Sequence, residues 1–276
     1  MERIKELRER TGAGIMDCKA ALAASNNDLE QAVDFLRKKG MAQAAKRAGR
    51  EAKEGLVVSK ISGKKAALVE VNCETDFVAR TEDFRKLANL ALEETLAQGE
   101  KALTSDKISQ CLAELSGKIG EKLVVRRAKV IETPKGTLFS YIHSNQKLGI
   151  LLEMESQKDV TLQNADFQEL GKNLAMQVAA SNPLCLDRAG VPADVLEREK
   201  GIYREEIKGK PEAIVEKILQ GKLAKFYQGS CLLEQPFIKD DKVSVKDLIA
   251  QAEKKIGDAI QVKRFVRFQL GETVAA

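Results

Sequence analysis

The stretch VEVNCETDFVAR, Val69 to Arg80, decides how this chain is read. Its first half reads as a strand and its second half opens a helix, so a strand-to-helix turn falls on Thr75–Val78. Thr75 and Thr81 are both competent helix N-caps, because a threonine hydroxyl can accept a backbone N–H of the first turn. A helix that starts at Thr75 and runs straight puts Phe77 seven residues before Phe84, on the same face, and makes Phe77 a core residue. A helix that starts at Thr81 leaves DFVAR as a separate turn, and that turn presents Phe77 beside Asp76 to solvent as a wedge for a partner. Periodicity supports both readings equally.

Outward from this point the periods sort the chain into elements. Upstream, GLVVSKI and AALVEVN alternate with period two around SGKK, which predicts a β-hairpin. Downstream, Phe84, Leu87, Ala88, Ala91, Leu92 and Leu96 predict a long helix. A second helix follows over Asp106–Lys118, capped by Ser105 or Thr104. KLVVRRAKVIE, GTLFSYIHS and KLGILLEME then read as strands, with His143 inside the second, and Leu162–Ala180 returns to helix. A helix at Val245–Ile256 and a last strand, QVKRFVRFQLG, close the pattern. Strands mixed with segregated helices predict an α+β fold. No fixed-period repeat is visible.

The first 53 residues read as three small helices. TGAG breaks the first from the second, Asp28 caps the third, and Gly40 is expected to end it. Residues 37–53 then carry seven Lys or Arg against one Glu. They read either as a solvated helical linker or as a basic arm for phosphate, although the aromatics that usually accompany phosphate recognition are missing. Two helical runs between 193 and 228 are separated by GKP, Gly209 to Pro211. Their stripe of Val195, Ile202, Ile214, Ile218, Leu219 and Leu223 predicts an antiparallel hairpin arm whose apolar side needs cover from another subunit or a partner.

The bulk composition narrows the function classes. The chain has 276 residues, 43% of them hydrophobic, enough for more than one domain with real cores. The net charge of +5 leans only weakly toward an acidic partner. Five cysteines without CxxC spacing argue against a zinc or disulfide framework and for scattered thiols in a reducing compartment. The opening MERIKELRER lacks an apolar leader segment, and no apolar run approaches the ~18 residues of a membrane span, so a cytoplasmic protein is expected. The single histidine, His143, leaves little for a metal cluster or a nucleophile dyad, and TGAG is a helix–helix turn rather than a phosphate loop. No catalytic residue, cofactor or metal site is expected, and a binding protein is favoured over an enzyme.

LRERTGAGIMDCKAAL (Leu7 to Leu22) and EVNCETDFVAR (Glu70 to Arg80) resemble the two signature segments of the elongation factor Ts family, guanine-nucleotide exchange factors of the translational GTPase elongation factor Tu. The likeness continues in order through KIGEKLVVRR, SYIHSNQKLGILL, MQVAASNP, GKPEAIVEKILQGKLAKF and QPFIKDDKVSV, nearly the whole chain. The resemblance implies a ubiquitin-associated-like three-helix domain over 1–53 and a core N-subdomain over 54–137. A core C-subdomain over 138–181 and 229–276 follows, interrupted by a coiled-coil dimerisation arm over 182–228.

It also implies that Thr75, Asp76, Phe77 and Val78 enter the partner's GTPase domain and dislocate its Mg²⁺. Arg8, Lys19, Arg47, Ile119, Gly120 and His143 are implied as further partner contacts, the family often having Lys at the position of Arg47. The implied partner is elongation factor Tu, GDP-bound and nucleotide-free, with a homodimer through 182–228 and no membrane or direct nucleic-acid partner. Against the family pattern the chain starts a few residues late, and it stops at LGETVAA where some members carry a longer terminal helix. The alternative function is a basic ribosome- or RNA-associated protein that works through residues 37–53.

Overall fold

The computed structural model describes residues 1–209 and 211–273. Two compact units are distinguished. One holds Met1–Ile131, Ser144–Gly149 and the described residues from Phe268 on; the other holds Glu132–His143 and Ile150–Arg267. Helices and antiparallel sheet are mixed, as an α+β chain requires.

The first unit opens with α1 (Glu2–Thr11), α2 (Ile15–Ala24) and α3 (Leu29–Arg47). Gly12, at a φ of 65°, ends α1 inside TGAG. The Asp28 carboxylate accepts the Gln31 N–H at 2.9 Å and caps α3. Leu7, Cys18, Ala21, Leu22 and Ala32 are buried where the three helices meet. A hairpin follows, β1 (Glu54–Ser62) and β2 (Lys65–Cys73), paired antiparallel from Ser62↔Lys65 to Glu54↔Cys73 across the two-residue turn Gly63–Lys64. Next come α4 (Asp76–Ala79), α5 (Glu82–Gln98), α6 (Asp106–Ile119) and β3 (Val124–Glu132), and β3 completes a sheet of order β1-β2-β3. Ser105, not Thr104, caps α6 through the Ile108 N–H.

One face of β2 (Ala67, Val69, Val71, Cys73) packs with Phe84, Leu87, Ala88 and Ala91 of α5 in the core of this unit. The other face carries Glu70, fully buried, which accepts from Arg126 at 2.9 Å, Arg127 at 2.6 Å and the Gly271 N–H at 2.9 Å. Burial by itself would push this carboxyl's pKa up. The Gly271 N–H and the two arginines outweigh it and hold the pKa below the ordinary value. A buried charge is tolerable only with partners of this kind.

The structure overturns the expected stop at Gly40. The helix α3 continues to Arg47, and Gly40 is buried where α3 crosses α6: a Cβ on Gly40 would lie 3.3 Å from the Ala113 carbonyl oxygen, and one on Gly117 3.1 Å from the Gly40 Cα. The glycine serves close helix–helix approach, not termination. The basic run is also largely engaged inside the chain. Lys39 pairs with Asp17, Arg50 with Glu74 and Lys53 with Glu51, while Arg47 donates to the Ser116 carbonyl.

The second unit contains β4 (Thr137–Ile142), β5 (Leu148–Ser156, from its third residue on), α7 (Ala165–Ser181), α8 (Ala193–Glu206), α9 (Glu212–Ser230), β6 (Pro236–Phe237), β7 (Asp240–Ser244), α10 (Val245–Ile256) and most of β8 (Ile260–Gln269). One sheet has the order β4-β5-β8, and β6 pairs with β7. On the inner side of α7, Gly171 admits the Phe139 ring, since a Cβ there would meet it at 2.2 Å. His143 lies one residue beyond β4 rather than in it, exposed, because the ladder stops at Ile142 and the chain turns. The expected α8–α9 turn at Gly209–Pro211 includes Lys210, which lies outside the described residues, as do Val274, Ala275 and Ala276 of LGETVAA.

Candidate functional site

Strand β2 ends at Cys73, and the chain must turn to reach α5. Both threonines cap. The Thr75 hydroxyl accepts the Val78 N–H at 3.4 Å and starts the single turn α4; the Thr81 hydroxyl accepts the Phe84 N–H at 3.3 Å and starts α5. The helix is thus broken at Arg80–Thr81, and the two phenylalanines part company. Phe84 is fully buried, whereas Phe77 is 79% exposed. Val78 and Ala79, the next residues of α4, are buried in the core and root the turn.

Two carboxylates hold this elbow. Glu121 Oε2 accepts the N–H groups of Glu74 and Thr75, each at 3.1 Å, and its Oε1 accepts the Thr75 hydroxyl at 2.7 Å. In the opposite direction the Glu74 carboxylate accepts the Lys122 N–H at 2.6 Å and Arg50 Nη1 at 3.1 Å. The Lys122 N–H, with Arg50 beside it, keeps the Glu74 pKa below its ordinary value against the cost of partial burial. The Cys73 thiol, pushed up to about 12 by burial and by the neighbouring Glu121 and Glu54, stays protonated and donates to the Thr75 carbonyl. Asp76 and Arg80 form an exposed pair at 2.7 Å on the outer side of the turn.

Glu121 follows directly on Ile119 and Gly120, at the end of α6, where Gly120 closes the helix at a φ of 85°. The Ser116 hydroxyl donates to the Glu121 carbonyl at 2.6 Å, and Arg47 donates to the Ser116 carbonyl at 3.1 Å. Of the residues singled out in the sequence, Thr75, Val78, Gly120 and Arg47 are therefore joined by one hydrogen-bond relay, with Asp76, Phe77 and Ile119 adjacent in the chain but outside it. Arg8 and Lys19 stand exposed on α1 and α2, apart from that relay. His143 belongs to the other unit, and its Nδ1 lies 2.8 Å from the Tyr141 hydroxyl. Sequence reasoning missed Glu74, Ser116 and Glu121. An acid after a helix-ending glycine looks like any solvated glutamate until the strand end it binds is known.

These features describe an α+β protein whose elbow pairs its polar groups and leaves one aromatic ring in solvent. The comparisons make the class specific. The family model for elongation factor Ts matches residues 74–272. Among similar curated proteins is an elongation factor Ts of Nitratidesulfovibrio vulgaris, 46% identical over 99% of this chain and 96% of its own length. Those of Methylorubrum extorquens (45%, covering 98% and 92%) and Prosthecochloris aestuarii (43%, covering 97% and 97%) are also similar. The chain belongs to the elongation factor Ts family, translation elongation factors that act as guanine-nucleotide exchange factors of elongation factor Tu.

Proposed function

We propose that the elbow Thr75–Val78 enters the GTPase domain of elongation factor Tu, meets it in its GDP-bound and nucleotide-free forms, and promotes GDP release by disturbing the bound Mg²⁺. The observation that carries this reading is Phe77, 79% exposed on a turn whose flanking polar groups are already satisfied. A ring held out this way is presented to a partner with little ordering left to do on binding. Asp76, beside it, supplies a carboxylate at the same turn, a group able to compete for a hard cation or its ligands. Mg²⁺ bridges phosphate oxygens and protein ligands, so loosening its coordination removes a large electrostatic share of nucleotide affinity. By linkage, a factor that binds the nucleotide-free GTPase more tightly weakens nucleotide binding by the same ratio.

In this reading Ile119 and Gly120 extend the elbow's contact surface, and Arg8, Lys19, Arg47 and His143 make further contacts. Arg47 does so with part of its donor set engaged at Ser116. The exchange factor works by binding alone, without chemistry of its own, in the cytoplasm. The three helices of 1–53 act as a ubiquitin-associated-like module, and the arm within 182–228 serves dimerisation. The test is release of labelled GDP from elongation factor Tu by the native chain and by Phe77→Ala. A buried interface aromatic is worth about 2 kcal/mol or more, so release should slow roughly 30-fold at limiting factor. Unchanged release would refute the role given to the elbow.

A further inference from the structure

The hairpin of α8 and α9 has a root that the function above does not use. The segments entering α8 and leaving α9 run side by side. The N–H groups of Leu184 and Cys185 both donate to the Ser230 carbonyl, Leu232 N–H donates to the Cys185 carbonyl at 2.9 Å, and Leu233 N–H donates to the Leu186 carbonyl at 3.0 Å. This is a short parallel bridge, with Cys185 opposite Cys231. Neighbouring strands lie ~4.7–4.9 Å apart, inside the Cα separation that a disulfide spans. The two sulfurs already stand 3.8 Å from each other. Three residues further along each segment, Arg188 makes a forked pair with Glu234 at 2.6 and 2.7 Å, which holds the same register. Gly190 leaves room for Cys185, because a Cβ on it would come within 2.9 Å of the Cys185 Cβ.

We propose that Cys185 and Cys231 are a modification site, a dithiol that small-molecule disulfides convert into an intramolecular disulfide closing the root of the hairpin. Cys231 is fully buried and Cys185 is half-buried, so Cys185 meets the oxidant. Its thiolate attacks one sulfur of R–S–S–R, forming a mixed disulfide and expelling RS⁻. The Cys231 thiolate then attacks the Cys185 sulfur, forming the protein S–S bond and expelling the second RS⁻. Two protein thiols lose two electrons, the small disulfide gains them, and the two RS⁻ take up the two protons released. Burial, together with the hydrogen bond and charge of Cys185, holds the Cys231 thiol up at about 12. The remaining cysteines, 18, 73 and 111, have no sulfur partner of this kind among the described residues.

The experiment uses the full chain, incubated under native conditions at mildly alkaline pH with oxidised glutathione, then analysed by thiol titration, non-reducing peptide mapping and thermal melting. The expected result is the loss of two of the five thiols and a peptide pair linked through Cys185 and Cys231. The melting temperature should rise by about 5 °C, since the link closes a long loop, and fall back on reduction. Cys185→Ser and Cys231→Ser should each abolish the linked pair and the rise. A glutathione adduct that stays on Cys185, or a linked pair joining two copies of the chain, would overturn the proposal.

Discussion

The elbow at Thr75–Val78 and the hairpin of α8 and α9 both leave large apolar side chains outside, and they do so in opposite ways. At the elbow one ring is exposed, and everything behind it is fixed: Val78 and Ala79 in the core, Glu121 and Glu74 on the backbone. Along the hairpin Ile202 and Ile214 are 45% and 49% exposed, while Ile207 and Leu219 are the buried apolar residues among those described in 193–230. The elbow derives its order from its own unit. The hairpin, with two amphipathic helices and little core, depends on helix–helix contact and on its root. An exposed apolar group is therefore rigidly backed in the first case and part of an uncovered face in the second.

The widest test of that contrast lies within the elbow itself. Phe84→Ala empties a fully buried site and should cost about 3–5 kcal/mol of stability, read from denaturant melts. Phe77→Ala, seven residues earlier, should cost under about 1 kcal/mol while its loss appears in GDP release. A large destabilisation by Phe77→Ala would erase the distinction.

Glu121→Ala comes next. It removes three hydrogen bonds to a carboxylate and should cost about 1.5–3 kcal/mol, with faster hydrogen exchange at the Glu74 and Thr75 amides. If Glu121 acts on exchange only through the elbow, adding it to Phe77→Ala should slow GDP release little further. A full additive loss would mean that it has a separate contact.

Acid should loosen the elbow before it touches the hairpin's apolar contacts. The folded pKa of Glu74 lies below its ordinary 4.5, so its contribution is complete above that value and is lost as pH falls through the lower, folded value. Amide exchange at Lys122, corrected for its intrinsic pH dependence, should accelerate over that acid range in the native chain. In Glu74→Gln it should be flat. The smallest effect belongs to the hairpin. Ile202→Ser should move the unfolding midpoint by less than about 0.5 kcal/mol, as expected for an exposed position. Sedimentation at high concentration would then show whether that face serves association; a stability loss as large as that of Glu121→Ala would mean that the isoleucine is already covered within the chain.

Much of the architecture was legible from period and punctuation. The hairpin around Gly63–Lys64, the helix at Val245–Ile256 and the caps at Asp28 and Ser105 rest on neighbours within a few residues, so local sequence suffices for them. Gly40 misled because a glycine that ends a helix and a glycine that lets another helix approach are the same residue locally. The five cysteines are all free, as a chain without a disulfide framework requires, but the approach of Cys185 and Cys231 to 3.8 Å between sulfurs comes from adjacent segments that their spacing in the sequence does not reveal.

The sequence by itself determined the α+β character, the family and the presence of a strand-to-helix turn at Thr75, because these depend on residue order and short-range propensity. Only the tertiary structure decided what that turn does with Phe77. Both threonines can cap, and period 3.6 places Phe77 and Phe84 on one face. What breaks the tie is Glu121, 46 residues beyond Thr75, whose carboxylate reaches back to the Glu74 and Thr75 amides and the Thr75 hydroxyl. With those groups fixed and Val78 rooted in the core, the chain turns once, stops and starts again at Thr81, and the ring is left in solvent. That outcome rests on contacts between distant segments, which no local pattern encodes.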